Sequence, residues 1–209
     1  MKLKICGMKY RENIAEVANL NPDYMGFIFY PKSVRFVNRF EIKESILELH
    51  KDISKVGVFV NYPHSEVIDI CQSLELNFAQ LHGNETSEYT AKIKRSGTGV
   101  IKVFHIDNTF DWSQIKEFSS MVDFFLFDTS TIQFGGSGHK FEWKLLENYN
   151  ENTPFFLSGG IDLTDIPLIK KIKHSQLWGI DINSKMESSP ALKNVNRIQT
   201  FINELKNEQ

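Results

Sequence analysis

The chain has 209 residues, of which 41% are hydrophobic and 24% charged, and its formal net charge is -2. That length suits one large domain or two small ones and is ample for a buried core. The charge balance excludes general binding to nucleic acid or to an anionic membrane surface, no apolar run approaches the ~18 residues needed to cross a bilayer, and no signal-peptide core follows the basic N-terminus, so cytoplasmic residence is expected.

In chain order, strand-like runs at 2–6, 24–30, 55–60, 77–82, 100–105, 122–128, 154–158 and 177–182 are short and rich in Val, Ile, Phe and Tyr. Between them lie helix-period stripes. Ile14, Val17 and Ala18 form the first and Ile42, Ile46 and Leu49 the second. Val67, Ile68, Cys71 and Leu74 form another, which makes Cys71 a structural thiol rather than a disulfide partner. The final stripe is Val195, Ile198, Phe201, Ile202 and Leu205. Strand alternating with helix indicates a parallel sheet with helical crossovers. Eight such units of roughly 25 residues favour a compact (β/α)8 TIM barrel over an open doubly wound sheet. No Pro/Gly/Ser-rich linker or charge block divides the chain, so residues 1–209 read as one barrel domain.

In such barrels the chemistry sits where the strands end and in the loops that follow. The residues falling there are Cys6, the stretch Tyr30 to Arg35, Asn61, Gln80 and His82, His105, and Asp128. Later in the chain come Gly135-Gly136-Ser137-Gly138, Ser158-Gly159-Gly160, and Asp181 with Asn183 and Ser184. Polar and glycine residues crowd one rim.

In the first strand Leu3 and Ile5 share one face, and Lys4 and Cys6 the other, interior one. Cys6 is then either a small buried core residue or a base facing a pocket. Lys4, one pleat below, is placed either to stabilise a thiolate or to pair with an interior carboxylate such as Asp181. Asp128 follows Phe124-Phe125-Leu126-Phe127 and shares its face with Phe124 and Leu126, above an apolar layer. Those surroundings raise a carboxyl pKa and suit a general acid, although a carboxylate there also serves to cap the following loop. The glycines near 136, 138, 159 and 160 let backbone N–H groups turn toward an anion, as in the phosphate sites of this barrel class. Arg35 offers a two-point contact to a carboxylate. Cys6, His82, His105 and Asp128 also offer ligand atoms for a divalent metal. No two of them stand at close ligand spacing in sequence, and no His-x-His pair follows the first strand, so no metal is expected.

Several segments, taken in order, carry a more specific signal: Lys4-Ile5-Cys6-Gly7, Gly26-Phe27-Ile28-Phe29-Tyr30-Pro31-Lys32-Ser33-Val34-Arg35, Val56-Gly57-Val58-Phe59-Val60-Asn61, Gln80-Leu81-His82-Gly83, Phe127-Asp128, Gly135-Gly136-Ser137-Gly138 and Leu157-Ser158-Gly159-Gly160. In this order they resemble the phosphoribosylanthranilate isomerases of tryptophan biosynthesis along nearly the whole chain. The resemblance implies a (β/α)8 barrel of the ribulose-phosphate-binding type, an Amadori rearrangement without metal or organic cofactor, and a small phosphorylated substrate. It implies that Asp128 is the general acid, Cys6 the general base and Arg35 the grip on the anthranilate carboxylate. His82, Gly136, Ser137, Gly138, Gly159, Gly160, Asp181, Asn183 and Ser184 would then contact substrate. A monomer or a homodimer is compatible with it.

One stretch departs from the family pattern. Where Asp-Val-Ser-Ser-Gly-Val-Glu is usual, this chain has Asp181-Ile182-Asn183-Ser184-Lys185-Met186-Glu187. Lys185 stands in place of a glycine and would either strain the phosphate loop or add a charge to it. Ser188 to Asn194 departs as well, which leaves the start of the last helix open. A sibling sugar-phosphate isomerase typically uses two aspartates as acid and base, so Cys6 separates it from this family; a non-catalytic barrel that binds a phosphorylated ligand is the alternative of another class.

Overall fold

The structure is a computed structural model and describes residues 1–128 and 143–207. Its strands are β1 (Lys2–Ile5), β2 (Tyr24–Ile28), β3 (Ser54–Phe59), β4 (Phe78–Leu81), β5 (Gly99–His105), β6 (Phe124–Asp128), β7 (Phe155–Ser158) and β8 (Leu177–Ile182). They close in chain order into a barrel, with β1 parallel to both β2 and β8. Each boundary falls within two residues of the run expected from sequence. The fidelity has a simple cause: buried parallel strands are near-continuous β-branched and aromatic runs bounded by polar turns.

The pleat sorts the side chains into two sets. Leu3, Ile5, Phe27, Phe125, Phe127, Leu157 and Ile180 point outward and pack with Ile14, Val17, Ile46, Val67 and Phe201 from the surrounding helices. Tyr24, Val56, Ile101, Val103, Leu126 and Phe156 fill the interior. The floor is aromatic and comes from alternate strands, as barrel layering requires. Tyr24, Phe78 and Phe124 meet at ring-centroid distances of 5.7–6.3 Å, and the Trp178 indole N–H donates to the Tyr24 hydroxyl at 2.9 Å. The polar residues of the interior therefore lie toward the opposite mouth.

Helices α1 (Arg11–Ala18), α2 (Arg39–Leu47), α3 (His64–Ser73) and α4 (Ser87–Arg95) make the first four crossovers. Asn38 caps α2 by accepting from the Phe40 N–H, and Thr86 caps α4 by accepting from the Tyr89 N–H. The later crossovers are less regular. A 3-10 helix at Trp112–Phe118 follows β5, where Asp107 and Asp111 capture the N–H groups of Thr109 and Ser113 at 2.8 and 2.9 Å. Such side-chain turns offer the backbone an alternative to helix. A 3-10 helix at Trp143–Asn148 precedes β7, and a 3-10 turn at Leu163–Asp165 runs into the one-turn α5 (Ile166–Ile169) before β8.

After β8 the chain makes a small antiparallel hairpin, β9 (Glu187–Ser189) with β10 (Leu192–Lys193), which the strand signals do not announce. The last helix, α6 (Val195–Lys206), starts behind Asn194, whose side chain accepts from the Arg197 N–H at 3.0 Å. This settles the start that the sequence left open. No helix among the described residues is long and apolar enough to cross a membrane.

Candidate active site

The site begins at the seam between the first and last barrel strands. Lys4 and Asp181 are register partners there, and the Lys4 ammonium, fully buried, donates to Asp181 Oδ1 at 2.9 Å. The Ser158 hydroxyl donates to the other Asp181 oxygen at 3.3 Å. Cys6 follows directly, its N–H donating to the Ile182 carbonyl at 2.9 Å and its side chain buried. The ammonium also acts electrostatically on the neighbouring Cys6 thiol, which helps to raise the Lys4 pKa.

Lys4 favours the thiolate but does not overcome burial. Burial pushes the thiol pKa up, the Lys4 and Lys193 ammoniums pull it down, and the Asp181 carboxylate pushes it up again, for a net rise. Lys4 itself is held charged: burial opposes its charge, but Asp181 and Cys6 outweigh burial. Cys71, with nothing but burial acting on it, is pushed up to about 12. Both cysteines are free and buried, and Cys71 lies in the outer core, as its helical stripe indicates.

Gly26 on β2 makes this cluster possible. A Cβ there would stand 2.8 Å from Cys6 Sγ and 3.2 Å from Lys4 Nζ. Only a residue without a side chain lets the sulfur and the ammonium occupy that part of the interior.

A second polar cluster adjoins the first. Arg35 Nε and Nη2 donate to the two oxygens of Glu187 at 2.8 and 2.6 Å. Lys193 donates to Glu187 Oε1 at 2.7 Å, to Asn183 Oδ1 at 2.7 Å and to the Asn183 carbonyl at 3.3 Å. The expected carboxylate grip, Arg35, is thus already oriented by a fork-to-fork ion pair. Asn183 turns its carboxamide oxygen to Lys193. Sequence reasoning kept Glu187 only as a family position and missed Lys193 altogether. Nothing in the polar stretch Leu192-Lys193-Asn194 marks a buried ammonium; the hairpin of β9 and β10 creates it.

On the far side of the mouth Asp128 ends β6, above Leu126 as its spacing indicates. Its register neighbours are His105 on β5 and Ser158 on β7. Asp128 Oδ2 lies 3.7 Å from His82 Nε2 and 3.8 Å from His105 Nδ1, and the two imidazole centroids are 5.4 Å apart. Burial lowers the His105 pKa, with Asp128 acting in the opposite sense. Residues far apart in sequence, two at strand ends and one on the loop after β4, are thus gathered into one group of possible ligands, His82, His105 and Asp128; Cys6 is not part of it.

The loop carrying His82 is braced from outside the barrel. Lys102 on β5 donates to the Gly83 carbonyl at 2.7 Å and to Glu85 Oε2 at 2.8 Å, both side chains being buried. Glu85 Oε1 accepts from the Asn61 N–H at 2.9 Å, which ties the loops after β3 and β4 together.

The anion-binding expectations divide. Gly136, Ser137 and Gly138 lie outside the described residues. Gly159 and Gly160 follow β7 with φ of 115° and 62°, the left-handed region that glycine permits. Ser184 opens a 3-10 turn at Ser184–Met186. Lys185 is not among the residues with positive φ, so it does not strain the loop. Its Cε lies 4.0 Å from where a Gly160 Cβ would stand, and the lysine adds its charge beside the two glycines.

An eight-stranded barrel with titratable groups on both sides of its mouth belongs to the broad class of (β/α)8 enzymes that move protons on small polar substrates. Residues 3–204 match the family model of N-(5'phosphoribosyl)anthranilate (PRA) isomerase, and the chain belongs to that family. It is 42% identical to N-(5'-phosphoribosyl)anthranilate isomerase of Phocaeicola vulgatus, over 99% of this chain and 98% of the relative. The protein of the same name from Parabacteroides distasonis is 38% identical, over 98% and 93%. Among solved structures, phosphoribosyl anthranilate isomerase from Thermotoga maritima superposes with a TM-score of 0.88 at 30% identity, covering 99% of this chain and 98% of that one. A phosphoribosyl anthranilate isomerase in complex with reduced 1-(o-carboxyphenylamino)-1-deoxyribulose 5-phosphate gives 0.85 at 28% identity, over 99% and 98%.

Proposed function

We propose that the chain catalyses the Amadori rearrangement of N-(5-phosphoribosyl)anthranilate to 1-(2-carboxyphenylamino)-1-deoxyribulose 5-phosphate, with Asp128 as general acid and Cys6 as general base. The observation that carries the assignment is the placement of these two groups: both lie at the C-terminal mouth, on strands three apart around the ring, one within a lysine-bearing cluster and the other between two imidazoles. The relative in complex with the reduced product supports the substrate class.

In this reading Asp128 gives its proton to the furanose ring oxygen as the C1'–O bond breaks, and the anilino nitrogen becomes part of a cationic Schiff base. Cys6 then takes the C2' proton. The C–H electron pair enters the C1'–C2' bond, the nitrogen recovers its own pair, and the resulting enolamine tautomerises to the ketose. A cation close to the sulfur favours the thiolate against the rise that burial imposes. Lys4 supplies part of that bias and Asp181 keeps Lys4 in position.

Arg35 spends Nε and Nη2 on Glu187. A two-point grip on the anthranilate carboxylate would use Nη1 and the second proton of Nη2. The phosphate would lie against Gly159, Gly160 and Ser184, with Lys185 adding charge. Clamping the substrate at both anionic ends holds the reacting carbons between acid and base.

The test follows loss of the anthranilate-linked fluorescence of freshly made substrate in wild type, Cys6→Ser and Asp128→Asn. Losses of about 10²-fold or more in kcat for both variants are expected; wild-type turnover in either would remove that residue from the mechanism.

A further inference from the structure

The mouth of the barrel gathers more ligand chemistry than the rearrangement uses. His82, His105 and Asp128 each offer one ligand atom, and these atoms all lie within 4.8 Å of one another. Two of the separations, both to Asp128 Oδ2, are 3.7 and 3.8 Å. Ligand atoms of a tetrahedral site with ~2.0–2.1 Å bonds stand ~3.3 Å apart, so small side-chain rotations close the set around an ion. Two of the three side chains leave adjacent strand ends whose register pairs His105 with Asp128, and the third sits on the loop braced by Lys102 and Glu85.

Gln80 supplies the outer contact that a metal-bound histidine needs. Its carboxamide lies 3.4 Å from His82 Nδ1. Its Oε1 is buried and has no hydrogen-bond partner among the described residues. A histidine bound through Nε2 carries its proton on Nδ1, and rotation of the Gln80 carboxamide turns Oε1 into the acceptor for it. The side chains of His82 and His105 are 28% and 66% exposed, which leaves the outer coordination positions to water. Two imidazoles and a carboxylate suit Zn²⁺ and its transition-metal neighbours better than Mg²⁺ or Ca²⁺.

We infer that His82, His105 and Asp128 form a binding site for a divalent transition-metal ion, and that an ion there inhibits the enzyme by occupying the carboxylate that donates the first proton. Only the inhibitory half rests on the role proposed for Asp128; ion binding stands on geometry alone.

Isothermal calorimetry of the full chain with ZnCl2 tests the site directly. One ion per chain is expected, with affinity at least tenfold weaker in His105→Asn and unchanged in Cys6→Ser. His105 is largely exposed, so its replacement leaves the fold intact. The Co²⁺-loaded chain should show visible ligand-field bands and no thiolate-to-cobalt band. Absence of saturable binding, equal affinity in His105→Asn, or a thiolate band would each overturn the site. In the fluorescence assay, inhibition by Zn²⁺ should follow the calorimetric Kd, be reversed by EDTA, and need at least tenfold more Zn²⁺ in His105→Asn. Binding without inhibition of an active enzyme overturns the inhibitory half. A wild-type chain with no turnover in metal-free buffer would instead sink the isomerase assignment, while calorimetry still decides the ion site.

Discussion

Cys6 is surrounded by charges of both signs that push its pKa in opposite directions, with burial setting a net rise. Removing Lys4 takes away the nearest stabiliser of the thiolate and leaves Asp181 unpaired. Lys4→Met should therefore raise the thiol pKa further, read as slower alkylation at a fixed mildly alkaline pH, and should also lower stability, since a buried pair broken on one side costs about 3–5 kcal/mol. Alkylation as fast as in wild type would show that Lys4 serves Asp181 alone. Gly26→Ala probes the same space sterically, because its methyl group would press on the sulfur and the ammonium. A fall in kcat larger than any change in KM is expected, with a stability loss of about 1–3 kcal/mol from overpacking. At this scale the sequence was informative about direction and silent about company. Alternation on β1 placed Cys6 and Lys4 on the inner face, but it could not say that Gly26 clears the room for them. Nor could it show that Arg35 meets a carboxylate 152 positions away.

Among the elements, strands were legible and crossovers only in part. A buried strand announces itself as an apolar run, whereas the segments after β5 and β7 owe their 3-10 geometry to a few aspartate side chains that bind nearby N–H groups. The hairpin of β9 and β10 was illegible for another reason: its strands are short and polar, and the buried Lys193 is satisfied by Glu187 and Asn183 rather than by any pattern of its own. Two loops yield predictions. Lys102→Met removes the cation from a buried pair that braces the loops after β3 and β4, so chemical denaturation should show a loss of about 3–5 kcal/mol. A loss under 1 kcal/mol would mean that Glu85 finds another partner. In the turn after β8, Lys185→Gly removes a charge beside Gly160, and KM should rise while kcat holds. A large fall in KM would show the lysine to be a handicap.

For the molecule as a whole, acid is the revealing perturbation. Burial alone would raise the Glu187 pKa, but hydrogen bonds from Arg35 and Lys193 outweigh it, and the carboxyl ends below its usual value of 4.5. A carboxyl depressed on folding stabilises the native state above its unfolded pKa, and that contribution fades as pH falls through the folded value. Glu187→Gln should accordingly be less stable than wild type at neutral pH, and the gap between the two in urea denaturation should narrow below pH ~4.5. A constant gap would mean that the pair contributes nothing that depends on its charge. The barrel itself was legible from the count of eight alternating units. The pairing of acid with two imidazoles was not, because strand register is fixed by closure of the ring rather than by any local stretch.

The seam between β1 and β8 also sets an order in time. Cys6 leaves the ribosome long before Asp181, Glu187 and Lys193 do. Until β8 and the hairpin after it are made, the thiol therefore exists without the charges of Asp181 and Lys193, and Lys4 without its counterion. Only the stretch from β8 to β10, by closing the ring, brings those charges to the thiol, so the setting proposed for a base arrives together with the completed barrel.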